Sequence, residues 1–176
     1  MMNTTLAMSK PLRKLFKRKD LTQREFARKS HVAPTTLNGH VNGSPIPVET
    51  LMHYSEVAND SEFNWILSKE MLGLIGIVNG KGIRSEILAL GILQKRESDE
   101  RKTVEEELEI NYLLSLPPEK LNEGQRENIL SHSSEFADEI LFEISRVNKQ
   151  LEILNMSFMD LMKVKFPEWE EKGWIE

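Results

Sequence analysis

The apolar positions of the first seventy residues recur at helical spacing in five short groups, each bounded by residues that start or stop helices. Leu12, Leu15 and Phe16 give a first helix, entered near Pro11, one apolar face, while Lys10, Arg13, Lys14, Lys17, Arg18 and Lys19 cover the other. Thr22 can cap a second helix, with Glu25 three residues on completing a capping box and Leu21 and Phe26 forming a hydrophobic staple. That helix should stop near Ser30, because Pro34 suits the first turn of a new helix and cannot sit inside an old one. The third helix then runs from Pro34 to about Asn42, where Gly43 can take the left-handed conformation that ends helices. Phe26, Ala27, Val32, Leu37 and Val41 are the apolar positions through which these two helices face each other, and Ala27 is small enough to let their axes approach. Ser44 to Pro47 reads as a loop. Val48 to Ala58 is a fourth helix, with Val48, Leu51, Met52, Tyr54 and Val57 directed at the core and Asn59 as its stop. Ser61 is expected to cap a fifth. Met1 to Ser9 reads as a polar, mobile start.

Beyond Leu72 the pattern changes. Gly73, Gly76, Gly80 and Gly82 punctuate a hinge, and its Gly80-Lys81 pair is not a phosphate loop: Ile75 occupies the first glycine position and Gly82 the place of the hydroxyl. A long helix is expected from Ile83 or Ser85 to Leu116, with aliphatic ends and a charged centre, Gln94 to Lys102, read as solvent-exposed, either a helix spanning open water or a break between two helices. Pro117 and Pro118 end it. Between Glu123 and Lys165, Ile140, Ile144, Val147, Leu151, Leu154, Phe158 and Leu161 alternate steps of four and three, the spacing of a coiled-coil stripe. The stripe suits pairing with a second chain and packing against the 85–116 helix equally well. Phe166, Pro167, Trp169 and Trp174 form an aromatic tail expected to dock on the body or on a second subunit. The pattern as a whole predicts an all-α chain in two parts, 1–76 and 77–176, the second a helical, coiled-coil region for oligomerisation or partner binding.

The stretch Leu21 to Gly43 resembles, without a gap, the helix-turn-helix of the Cro and phage-repressor family of transcription regulators. Leu21-Thr22-Gln23, Phe26-Ala27, Val32, Leu37 and Asn42-Gly43 stand at the family's places, and the resemblance extends over about residues 10–72, where Trp65 and Ile66 resemble the apolar pair that finishes its five-helix domain. The turn glycine is replaced by His31. Positive φ there costs a residue other than glycine ~1 kcal/mol unless the fold compensates. The resemblance implies a five-helix repressor-like domain whose third helix enters the major groove, with Thr35, Thr36 and Asn38 reaching base edges. Pro34 and Gly39 fall where other members often carry base-reading side chains, so readout should rest on threonine contacts with thymine methyls, on Asn38 with adenine, and on DNA shape. Gln23 resembles the family glutamine that contacts the DNA backbone and braces the reading helix. Arg13, Lys14, Lys17 and Arg24 are expected at phosphates. His40 stands open between a phosphate contact and a plain surface position.

The net charge of -5 argues against nucleic acid until its distribution is read. Residues 1–60 carry nine Lys/Arg against five Asp/Glu, or +4, leaving 14 against 23, or -9, for the rest. A basic head on an acidic body is the asymmetry expected when one end meets phosphate. Absence of cysteine excludes disulfides and thiolate metal sites, the four histidines lack metalloprotease spacing, and no nucleophile-base constellation is visible. No catalysis and no cofactor are expected. There is no run of 18 apolar residues and no apolar signal-peptide centre in Met1 to Lys19, so a cytoplasmic protein without membrane contact is expected. The resemblance implies a sequence-specific regulator, a dimeric repressor of phage or mobile-element type on a double-stranded operator, dimerised through the 140–161 stripe. The alternative is a protein-interaction module, an antitoxin, antirepressor or assembly factor, whose helical C-terminal half binds a partner.

Overall fold

A computed structural model describes residues 5–6, 8–80, 82–83 and 86–176. The expected features at residues 1–4 and 7, at Lys81 and at Arg84-Ser85, including Ser85 as a start of the long helix, lie outside the described residues, whereas Ile83, the other expected start, lies in a bend ahead of a helix that begins at Ile87. The chain is all-α apart from one two-stranded pairing, and it divides into two compact units: one holds the chain up to Leu74 together with Asn155–Glu176, the other Ile75–Leu154.

The first unit opens with β1 (Thr5–Leu6) and continues through α1 (Ser9–Arg18), α2 (Gln23–Lys29), α3 (Pro34–Val41), β2 (Ile46–Pro47), α4 (Val48–Ala58) and α5 (Ser61–Leu72). Leu12, Leu15 and Phe16 of α1, Phe26 and Ala27 of α2, Leu37 and Val41 of α3, and Leu51 and Tyr54 of α4 share one core. Phe26 lies at its centre, edge-on to Phe16 and to Tyr54 with ring centroids 5.3 Å apart in each case. Aromatic pairs in this geometry add ~0.5–1.5 kcal/mol beyond the area they bury. Two loop segments prove to be paired: Leu6 lies antiparallel to Ile46 and Thr5 to Pro47, and this register holds the wholly buried Ile46 in the core. Residues 5 and 6 are thus no mobile start. Asp60, not Ser61, caps α5, accepting the Phe63 N–H at 2.8 Å. The inward residues of α5 are Phe63 and Leu67, four apart, so Trp65 falls on another face and is half-buried. Met52, expected inside, is exposed, and Val48 and Val57 are half-buried, because Leu51, Tyr54 and Ala58 define the inner line of α4.

The second unit contains α6 (Ile87–Glu107), α7 (Ile110–Leu114), a single 3₁₀ turn at Pro118–Lys120, and α8 (Glu123–Ile153). The long helix expected to reach Leu116 breaks at Glu109, which takes φ of 49°. Its last turn holds Glu105, Glu106 and Glu107 and no basic residue, the wrong charge for a helix C-terminus. The charged centre of α6 is solvated on one side, as expected, with Lys95, Arg96, Asp99, Glu100 and Lys102 exposed, but its other side is covered: α6 and α8 pack against each other as an antiparallel pair whose contact is polar in its middle. Arg101 donates to Glu139 and to Glu105 at 2.5 Å each and lies 4.8 Å above the Phe136 ring, and Arg146 donates to Gln94 at 3.0 Å. Glu97 and Glu139 are both buried. Burial opposes ionisation of Glu139, but hydrogen bonds from Ser98 and Arg101 outweigh it and hold the carboxyl below its usual range.

The stripe from Ile140 to Leu161 is not one helical face. Its helix ends at Ile153, Asn155 turns left-handed at φ 52°, and Ser157 starts a new helix, α9 (Phe158–Glu171), through a capping box with Asp160. Leu154, in the break, is 64% exposed. On α8 the buried line is Glu139, Phe142, Ser145, Asn148 and Leu151, while Ile140, Ile144 and Val147 are half-buried. Phe158 and Leu161 belong to the first unit, so the expected region 77–176 is itself divided. There the Ser157 hydroxyl donates to Asn59 Oδ1 at 2.8 Å, Asn59 Nδ2 donates to Asp160 at 3.0 Å, and the Phe158 N–H donates to Ser61 Oγ at 2.7 Å. Phe158 meets Trp65 edge-on at 5.3 Å. The aromatic tail is covered only in part: Trp169 is half-buried with its ring 5.9 Å from that of Phe166, whereas Phe166 and Trp174 are exposed, and Lys172 lies 4.8 Å above the Trp174 ring.

Two outcomes follow. Arg101→Met leaves the buried Glu139 carboxylate unpaired and should destabilise the full chain by ~3–5 kcal/mol in urea unfolding, whereas adding Glu139→Leu should recover most of the loss. A single mutant as stable as the parent would show that this ion pair does not hold the hairpin. A chain ending at Leu154 loses the three hydrogen bonds of α9 to Asn59 and Ser61, and its first unit should be weaker by ~2–4 kcal/mol. Hydrogen exchange at the amides of α4 and α5 reads this directly, and unchanged protection there would contradict it.

Candidate nucleic-acid interface

The turn between α2 and α3 is built by short-range chemistry. The N–H of Glu25 donates to Thr22 Oγ1 at 3.1 Å and Glu25 Oε2 accepts the Thr22 N–H at 3.0 Å, which realises the capping box. The Thr22 hydroxyl, donating to the same oxygen at 2.7 Å, lowers the Glu25 pKa, with that backbone N–H second. At the other end of α2, buried Ser30 returns its hydroxyl to the Phe26 carbonyl at 2.7 Å. His31 takes φ of 49°, the positive value expected of this turn. The strain is offset by neighbouring bonds: the Val32 N–H reaches the Ala27 carbonyl at 3.0 Å, and His53 Nε2 lies 3.1 Å from the Ser30 carbonyl. Pro34 then occupies the first turn of α3.

Leu37, His40 and Val41 point α3 into the core, and the opposite side is polar. Steps of about 100° per residue put Thr35, Asn38, Gly39 and Asn42 along one outward line. Thr35, Thr36 and Asn38 are all exposed, as expected, and α3 carries no acidic residue. Gly39 has a packing reason: the Ser44 N–H bonds its carbonyl at 2.9 Å, and a Cβ there would lie 3.3 Å from Ser44 Oγ. Gly43, at φ 111°, turns the chain away. One contact along the outward line was not expected from the sequence, in which Asn42 marked the end of the helix and, with Gly43, the close of the family pattern. Its Nδ2 donates to Asn38 Oδ1 at 3.1 Å. The spacing of the two asparagines, four residues apart on a helix, is the signal for it.

The basic residues sort into free and committed. Gln23 and Arg24, in the first turn of α2, are exposed, as is Lys17. Arg13 is exposed but anchored, its Nε donating to the Val41 carbonyl at 3.0 Å, which ties α1 to the end of α3. Lys14 lies 3.9 Å from Glu62, and Arg18 pairs with Asp60 and Glu62. Arg28, Lys29 and His31 add exposed basic groups around the turn. His40 is the correction. It is 7% exposed, its Nδ1 lies 3.0 Å from the Tyr54 hydroxyl, and burial lowers its pKa while pushing that of Tyr54 up to about 12. Three residues after Leu37 on a helix is an inward position, so His40 belongs to the core and is not available to a phosphate.

An α3 face of hydroxyls and amides, exposed and flanked by basic groups, offers donors and acceptors at the scale of base edges, and its N-terminus carries the positive end of the helix dipole. Elsewhere, the carboxylates of Glu97, Glu100 and Glu135 approach within 4.8 Å of one another, but Arg96 lies 2.5 Å from Glu97 and 3.6 Å from Glu100 and already compensates that charge. Among the described residues no helix is long and apolar enough to cross a membrane. Comparison with family models, with curated proteins and with solved structures gives no match for this chain.

Proposed function

We propose that the protein is a sequence-specific DNA-binding transcription regulator, acting as a dimeric repressor on a double-stranded operator. The observation that carries this reading is the exposed polar face of α3, held rigidly by Leu37, His40 and Val41 behind it and presented past a tight turn from α2. Thr35, Thr36 and Asn38 read base edges in the major groove. Gln23, Arg24 and Lys17 meet phosphates and supply affinity without sequence information. Arg13 and Lys14 contribute less than their charge suggests, since one is anchored to α3 and the other leans to Glu62. The resemblance of residues 10–72 to the Cro and phage-repressor family supports the same reading.

Enrichment of bound duplexes from random DNA by the full chain tests it. The wild-type protein should select a palindrome with half-sites spaced by about 34–36 Å, one helical turn, or a multiple of it. Asn38→Ala should cost ~1–3 kcal/mol at one base pair, while Arg24→Ala should weaken all sequences alike and flatten the salt dependence. Uniform loss in both variants would remove α3 from the groove.

A second reading, a module that binds a protein partner through the Ile75–Leu154 unit, is favoured by large apolar side chains left outside: Leu88, Ile92, Tyr112, Leu114 and Leu130 are all more than half exposed. Light scattering of the full chain separates the two. A dimer well above the operator dissociation constant accords with the repressor reading. A monomer that never pairs on DNA would sink the dimer and leave those side chains for another partner.

A further inference from the structure

The outward line of α3 contains a second asparagine whose amide is spent on the first. Asn42 is the last position of the α3 turn, and its backbone N–H is fixed by the Asn38 and Gly39 carbonyls at 3.0 and 3.1 Å. Gly43, with φ of 111°, carries the chain off immediately afterwards, so the Asn42 side chain is left beside the helix and exposed. From that backbone position its Nδ2 donates to Asn38 Oδ1 at 3.1 Å. Gly39, lying between the two on the same line, has no side chain to interfere.

A primary amide on a flexible χ2 presents either end to a ligand, and the two ends ask for opposite partners: Nδ2 needs an acceptor, Oδ1 a donor. We propose that Asn42 is a positioning residue that fixes the amide of Asn38, turning Nδ2 outward as a donor and leaving one Oδ1 lone pair beside it. That presentation matches the major-groove edge of adenine, where N7 accepts and the N6 amino group donates. Asn42 itself touches no base. It acts by removing the alternative orientation, in which Asn38 would offer its oxygen first and favour the N4 amino group of cytosine. This inference rests on the reading of α3 as the base-reading helix, and it assigns that helix an adenine at the Asn38 position.

The experiment is selection from random duplex DNA by the full chain and its variants, scored one operator position at a time. The wild type should select adenine at the position that Asn38→Ala releases. Asn42→Ala should reduce that preference about 3- to 10-fold while leaving other positions unchanged, the size expected for a partial loss of one bidentate pair. Asn42→Gln, which keeps an amide, should restore most of it. Asn42→Asp can only accept, so it should draw Asn38 Nδ2 inward and shift the same position towards cytosine. Thermal melts of all three should stay close to wild type, since both side chains are exposed. Unchanged base preference in Asn42→Ala and Asn42→Asp overturns the positioning role while leaving α3 as reader. Altered preference spread over every position overturns it too. Failure of the wild type to enrich any sequence overturns both the role of Asn42 and the reading beneath it.

Discussion

The corner between α4 and α5, residues Asn59 to Ser61, is the constraint on which the first unit depends. Asn59 sits left-handed at φ 40°, a conformation that asparagine adopts more readily than most residues. Around that single turn three consecutive side chains reach α9, α5 and α1, two of them meeting α9. Asn59 binds Ser157 and Asp160 of α9, Asp60 caps α5 while pairing with Arg18 of α1, and Ser61 accepts the first N–H of α9. The carboxyl of Asp160 is held far below its usual range by the Ser157 hydroxyl and backbone, with Lys163 and Asn59 adding to it. A corner made of charge-assisted bonds is stiff in angle, where a purely apolar contact tolerates sliding.

The recognition-sized helix α3 is oriented by its packing on α1 and α2. Eight residues cannot hold an orientation by helix propensity. Its direction is set from behind, by Leu37 and Val41 in the core, by the buried His40 on Tyr54, and by Arg13 on the Val41 carbonyl. The side chains of the polar outward face therefore carry little structural duty beyond the Asn42 bond to Asn38, with Gly39 kept small beside Ser44. A surface with that freedom can be specialised for recognition without disturbing the fold.

The α6–α8 pair follows a different logic. Its contact is lined by Arg101, Glu139, Ser145 and Asn148 as much as by Leu90, Phe142 and Leu151. Such interfaces contribute little net stability, since desolvation consumes much of the Coulombic gain, but they penalise any register in which a charge is left alone. The Val78 N–H on Ser145 Oγ, at 2.8 Å, adds a further pairing of this kind. Phe136 illustrates how apolar area is used here: its ring lies under the Arg101 guanidinium and remains 44% exposed.

Local chemistry was legible from the residues in order. The Thr22–Glu25 box, the helix entered at Pro34, the bounds of α4 and its stop at Asn59 are all decided within four or five neighbours, and the sequence alone determined them, whereas the positive φ at His31 was expected from the family resemblance. The exposure of Thr35, Thr36 and Asn38 follows from the same short period. What required the tertiary structure was every assignment that depends on a distant partner. His40 looked like a surface residue because only Tyr54, fourteen positions on, makes its burial tolerable. The covered side of the charged centre of α6 went unread because Glu139, which meets Arg101, is thirty-eight residues away. The regular stripe from Ile140 to Leu161 was read as one helix because apolar spacing does not register a left-handed Asn155 or the capping pair Ser157 and Asp160. Those residues turn the chain into α9, whose place on Asn59 and Ser61 is fixed by hydrogen bonds across about a hundred positions, and periodicity along a chain holds no information at that range.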